Sequence, residues 1–215
     1  MNLVEKMKRE LWRRFGNSRF PAEWDGTIHG GGKLSQRYWE YFIAIDMLKL
    51  KNDSILLDIG GFSKDTNNCF FTKLVSKYLK KVYIIDPNGR GATEKIAVIS
   101  KPANRKTLQT IIAKYKITHI SCISVLEHVE PKDAVEIITG INETFSGPIV
   151  FTYEFHAARC FFEHQLTAKT THQIFKHFTN FYPTEFQRSP VYAEDGYDLC
   201  MPRWCPVAIK FVPNL

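Results

Sequence analysis

Apolar and polar positions along this chain switch period several times. Leu3, Met7, Leu11 and Phe15 recur at helical spacing in the basic segment MNLVEKMKRELWRRF. Tyr38, Phe42, Ile45 and Leu48 do the same between Ser35 and Lys49. Short apolar runs of strand length follow: Ile55–Ile59, Val82–Ile85, Lys95–Ser100 (KIAVIS), His119–Ser124 and Ile149–Tyr153. The segments between them have helix length: Thr66–Lys80, Asn104–Tyr115, Pro131–Thr144 with proline in its first turn, and Thr170–Phe178. Residues 179–215 hold two strand candidates and no helix, and the last is Pro206–Val212. Strands alternating with helices predict an α/β fold. The expected architecture is a doubly wound, mostly parallel seven-stranded sheet with helices on both faces and a C-terminal antiparallel hairpin.

Residues 16–33 (GNSRFPAEWDGTIHGGGK) break the pattern, and their glycines and turn formers mark a loop. The chain is thus expected to divide into an N-terminal helical and loop region, 1–50, acting as a lid, and a Rossmann-like domain, 51–215. Trp24, Asp25 and His29 equip the loop with ligand-facing groups, and Gly30-Gly31-Gly32 gives it hinge freedom.

The pair Ile55-Leu56-Leu57-Asp58-Ile59-Gly60-Gly61 and Val82-Tyr83-Ile84-Ile85-Asp86 has the layout of a nucleotide-binding βαβ unit. Glycines let a ligand approach the backbone, and a carboxylate closing the second strand accepts from ribose hydroxyls. No third glycine opens the helix, and no Gly-Lys-Ser/Thr is present. A ligand carrying an adenosine but no phosphate fits this spacing, and S-adenosylmethionine is such a ligand.

Composition narrows the class. At 215 residues, with 44% hydrophobic and 24% charged residues, the chain reads as one globular domain with a real core. Its apolar runs are strand-sized, so no membrane span is expected. The N-terminus lacks the uninterrupted apolar core of a secretory signal. Five scattered cysteines (69, 122, 160, 200 and 205) predict a reduced, cytoplasmic compartment. The net charge of +7 and pI near 9.1 would suit nucleic acid, but Lys and Arg are spread along the chain with short clusters only at Lys6–Arg14 and Lys77–Lys81.

Three motifs resemble those of the class I S-adenosylmethionine-dependent methyltransferases over roughly residues 35–215. They are Leu57-Asp58-Ile59-Gly60-Gly61, Asp86 closing the second strand, and Ser124-Val125-Leu126-Glu127-His128-Val129 after the fourth. The first departs from the commoner Asp-x-Gly-x-Gly because Phe62-Ser63 follows the glycine pair. The resemblance implies cofactor-binding roles for Asp58, Gly60, Gly61, Asp86, Pro87 and Ser124. Asp58 would hold the glycine loop or accept from the cofactor's ammonium. Asp86 would take the ribose hydroxyls, residues 100–102 would flank the adenine, and Ser124 to Leu126 would line the transferred methyl. Strand-end aspartates also cap turns, and Glu127 equally suits a solvated helix start.

Methyl transfer to oxygen requires an aligned acceptor and a base for its proton. A neutral histidine is the usual base near pH 7. His164 and His128 are the candidates, with Glu127 orienting an imidazole. Alternatively, Glu127 and both histidines surround Mg²⁺ or Mn²⁺, with Glu154 and His156 as spare ligands. The first Glu of the Glu-x-x-Glu-His metal motif found in some methyltransferases is here Ser124. No Asn/Asp-Pro-Pro-Tyr/Phe follows the fourth strand, and the Lys-Asp-Lys-Glu set of cap ribose methyltransferases is not met. The expected acceptor is therefore a hydroxyl of a sugar, glycan or other small molecule. An RNA methyltransferase using the basic surface and a non-catalytic, cofactor-fold binding subunit remain as alternatives. The sequence fixes no oligomeric state.

Overall fold

The computed structural model describes residues 1–15, 35–62, 69–156, 166–188 and 204–214. The helices are α1 (Leu3–Phe15), α2 (Ser35–Leu48), α3 (Phe70–Ser76), α4 (Arg105–Tyr115), α5 (Pro131–Thr144) and α6 (Ala168–Phe175). The strands are β1 (Ile55–Ile59), β2 (Lys81–Ile85), β3 (Ile96–Ile99), β4 (His119–Ile123), β5 (Ile149–His156), β6 (Phe181–Arg188) and β7 (Trp204–Pro213). A single 3₁₀ turn, Leu126–His128, follows β4.

The seven strands form one sheet in the order β3-β2-β1-β4-β5-β7-β6. The first five run parallel, and β7 is antiparallel to both of its neighbours. The sheet is thus the mostly parallel one expected, and its terminal hairpin is inserted with β7 inside and β6 at the edge.

Each central strand is apolar on both sides because both faces are covered. Successive β1 residues feed opposite cores. Leu56 packs with Met7 and Leu11 of α1, Phe42 and Ile43 of α2, and Leu74 of α3. Leu57 and Ile59 pack with Leu108 of α4, Ile138 of α5 and Ile174 of α6. The α6 side carries an aromatic stack in which Phe178 lies 4.4 Å from Phe181 and 4.8 Å from Phe211, ring centre to ring centre.

α1 is fastened to α2 by Lys8, whose Nζ lies 2.6 Å from Asp46 Oδ1 and 4.3 Å from the centre of the Phe42 ring. The α1 helix also reaches α3, where Glu10 pairs with Lys77 and accepts from the Tyr78 hydroxyl at 2.5 Å.

Several boundaries differ from the expected ones for local reasons. The helix expected over Thr66–Lys80 is described only as Phe70–Ser76, and residues 63–68 lie outside the described residues. Its last turn tightens where the Tyr78 amide donates to the Val75 carbonyl at 3.0 Å. α4 begins after Asn104, whose side chain accepts from the Thr107 amide at 3.0 Å. α6 starts earlier than expected because Thr167 caps it through the Thr170 amide. Among the described residues, no helix is long and apolar enough to cross a membrane.

Candidate active site

The chain runs from β1 to β2 and β3 on one side, then returns to β4 and β5 on the other. The switch lies between β1 and β4, and in such sheets ligands enter at the carboxyl ends of those strands. Gly60 ends β1 and Ser124 ends β4, so both stand at that cleft.

Gly60 has φ of +68°, and its amide donates to the Ile85 carbonyl at 2.9 Å. That bond sets the glycine turn beside the end of β2, where Asp86 follows. A Cβ on Gly60 would overlap Val125 Cγ2, so the turn and the β4 exit are packed backbone to side chain. At Gly61 a Cβ would overlap Asp58 Oδ2 and stand 2.8 Å from its carboxyl carbon. The glycine pair thus leaves its backbone bare at the cleft, with no room for a side chain at either position.

Asp58 is only 2% exposed. Its Oδ2 accepts from Thr72 Oγ1 at 2.6 Å, and its Oδ1 from Ser121 Oγ at 2.7 Å. It therefore ties β1 to α3 and β4. Burial pushes its carboxyl up to about 6, with the Asp86 charge adding and the two hydroxyls opposing.

Asp86 is buried at the mouth of β2. Its Oδ1 accepts from the Asn88 amide at 2.7 Å, and the Gly89 amide closes the turn onto its carbonyl at 3.0 Å. Oδ2 takes no hydrogen bond among the described residues. Pro87 is exposed, and Ser100 anchors the neighbouring loop by donating to the Gly89 carbonyl at 2.9 Å.

The β4 exit is the most constrained segment of the cleft. Ser124 is a buried non-glycine residue with φ of +49°. Its amide donates to the Thr152 carbonyl at 2.9 Å, and its hydroxyl to Glu40 Oε1 at 2.5 Å. Thr152 Oγ1 donates to the same oxygen at 3.0 Å. Glu40, from α2, is fully buried.

Glu127 is 7% exposed, so it is not the solvated acid of a helix start. After burial, its charge is the next push upward on the Cys122 thiol, and it also raises the Tyr153 phenol. Two buried carboxylates thus belong to this region: Glu40, bonded to Ser124 and Thr152, and Glu127, three residues beyond Ser124. His128 is exposed on the 3₁₀ turn. Glu154 and His156 end β5, in register with Pro206 and Trp204 of β7.

His164 and the loop at 16–33, with Trp24 and His29, lie outside the described residues. Among the described residues, no group of three or more His, Cys, Asp or Glu is arranged to hold a metal ion. The structure thus gathers Asp58, Gly60, Gly61, Asp86 and Ser124 at the carboxyl ends of β1, β2 and β4 and adds Glu40, which the sequence reading missed. Its signal was a lone Glu beside Trp39 in a helix that is apolar on nearly all sides.

No protein-family model matches the sequence, and no curated protein matches it. Solved structures do match. A methyltransferase from Anabaena variabilis described as S-adenosylmethionine-dependent is 11% identical, with 100% of this chain and 96% of that one covered and a TM-score of 0.57. The 1,6-didemethyltoxoflavin-N1-methyltransferase of Burkholderia thailandensis is 12% identical, covering 82% of this chain and 77% of that one, at a TM-score of 0.54. The cyclopropane synthase MmaA2 of Mycobacterium tuberculosis is 10% identical, covering 98% of both chains, at a TM-score of 0.55. The fold is that of the class I S-adenosylmethionine-dependent methyltransferases. Within that fold, Gly60, Asp86 and Ser124 follow the carboxyl ends of β1, β2 and β4.

Proposed function

We propose that this chain is an S-adenosylmethionine-dependent methyltransferase acting on a hydroxyl of a sugar, glycan or other small molecule. The observation that carries the cofactor reading is the pairing of the bare Gly60–Gly61 turn with the buried Asp86 at adjacent strand ends, joined by the Gly60-to-Ile85 bond. Asp86 Oδ2 would accept from the ribose, while Oδ1 keeps the Asn88 turn in shape. The glycine backbone would lie against the methionine part. The Burkholderia thailandensis neighbour, described with S-adenosylhomocysteine and 1,6-didemethyltoxoflavin bound, supports the cofactor and a small-molecule acceptor, while its name places the methyl on nitrogen.

When bound, the cofactor supplies a methyl group on a sulfonium, already a good leaving group. The chain's task is to align the acceptor, exclude water and remove a proton. His164 or His128 is the proposed base. Glu127, buried beside Cys122 and Tyr153, is proposed to orient an imidazole or to join a divalent metal with the two histidines. The lid role of 16–33 and the division at residue 50 belong to the same proposal.

A nucleic-acid acceptor is the second reading. Lys101, Lys106 and Lys114, all exposed, line a groove between the end of β3 and α4 together with Thr107, Thr110 and Tyr115. Methylation assays with radiolabelled S-adenosylmethionine on pooled sugars, small hydroxylated metabolites and RNA separate the two. Label in a small hydroxylated product supports the first. Label in RNA, with affinity that falls steeply as salt rises, replaces it.

A further inference from the structure

Ser124 adopts a left-handed backbone that L side chains avoid, at a cost of roughly tenfold in population or more. Such a conformation persists when its surroundings hold it there. Here the holding group is identifiable. Glu40 Oε1 receives the Ser124 hydroxyl at 2.5 Å and the Thr152 hydroxyl at 3.0 Å. Thr152 Oγ1 in turn accepts the Ser124 amide at 3.2 Å, so backbone and side chain of Ser124 are clamped together. The next residue is Val125, whose methyls fill the space against Gly60.

We propose that Glu40 is a positioning residue of the cofactor cleft. From α2 it locks the β4 exit in the left-handed turn that seats Val125 against the glycine turn of β1. A run of contacts therefore joins the helix, through Ser124 and Val125, to the backbone that would meet the cofactor. The burial of Glu40 suits this role. A buried carboxylate needs hydrogen-bond donors, and two hydroxyls from adjacent strands supply them. The inference rests on the proposed function, in that the cleft is taken as the cofactor's.

The test is calorimetric binding of S-adenosylhomocysteine to wild type, Glu40→Ala, Glu40→Gln and the double variant Glu40→Ala with Ser124→Gly. Glu40→Ala should weaken binding by about tenfold. Glu40→Gln should stay within about threefold of wild type, because the amide oxygen still accepts both hydroxyls. Ser124→Gly should restore the alanine variant to within about threefold, because glycine adopts this turn without cost. Full binding by Glu40→Ala overturns the proposal. So does a glutamine variant as weak as the alanine one, which would mean that the charge itself acts, or a failure of Ser124→Gly to restore. If Glu40→Ala does not fold, the glutamine variant decides alone by the same threefold limit. If wild type does not bind the compound, the methyltransferase reading fails, and hydrogen exchange at residues 124–126 then judges the clamp. Exchange faster in Glu40→Ala or, if that variant does not fold, in Thr152→Val, but not in Glu40→Gln, supports it. Equal rates overturn it.

Discussion

The backbone of Gly60 rests against the side chain of Val125, so closely that a Cβ on the glycine would overlap Cγ2 and stand 3.0 Å from Cγ1. This contact joins the end of β1 to the exit of β4 across the switch point of the sheet. Gly60→Ala meets two penalties, a left-handed φ worth about 1–2 kcal/mol and an overpacking term of about 1–3 kcal/mol. The variant should melt lower and bind S-adenosylhomocysteine at least tenfold more weakly. Adding Val125→Ala relieves the overlap but not the backbone, so it should restore only part of the melting temperature. Thermal melts of the two variants check this, and a Gly60→Ala protein as stable as wild type would contradict the packing described.

Asp58 gives the ligand-free protein a defined pH dependence. Burial raises its folded carboxyl to about 6 from an ordinary 3.8, so the folded state holds a proton that the unfolded chain releases. Its contribution is therefore fully present below about 3.8 and is lost as pH rises through about 6. The full swing is about 3 kcal/mol at most. Asp46, held low by Lys8 and Lys49 against the effect of burial, acts in the opposite sense only below the ordinary carboxylate range. His119, pushed down to about 4 by burial, acts in the opposite sense over the same range, so in denaturant titrations from pH 4.5 to 7.5 the stability of wild type minus that of Asp58→Asn should fall toward the alkaline end. Parallel curves for the two proteins would show that Asp58 is not the group responsible.

The base is separable from the cofactor site. His164→Ala should lower turnover by roughly 10²–10⁴-fold while leaving S-adenosylhomocysteine affinity nearly intact, because a base acts in the transition state. His128→Ala, at an exposed position on the 3₁₀ turn, is the matched comparison. If a chelator abolishes activity and Mg²⁺ or Mn²⁺ restores it, Glu127, His128 and His164 are metal ligands instead. Full activity of both histidine variants, with no effect of chelator, removes both versions and leaves Glu154 and His156 as the next candidates.

Much of this fold was legible because parallel strands buried on both faces are written as nearly continuous apolar runs. Ile55–Ile59 and Lys81–Ile85 announce themselves this way, and the glycine pair and Asp86 fall where those runs stop. The position of β7 was not legible. Its antiparallel partners on both sides are chosen by how Val207, Ala208 and Phe211 fill the two cores, and the run itself carries no sign of order. Glu40 was hidden for a related reason. Its hydroxyl partners lie 84 and 112 residues away, so no local pattern connects them. Glu127 could be read as a site acid or as a solvated acid at a helix start, and its burial, which the local sequence does not encode, excludes the second.

The central claim is that the cleft between β1 and β4 holds S-adenosylmethionine through Gly60, Gly61 and Asp86. Calorimetric titration of wild type and Asp86→Ala with S-adenosylhomocysteine tests it most directly. Saturable binding at one site is expected for wild type. Removing the buried carboxylate should cost about 1.5–3 kcal/mol, or roughly 10–150-fold in affinity. Absence of binding to wild type, or equal affinity in Asp86→Ala, would contradict the account.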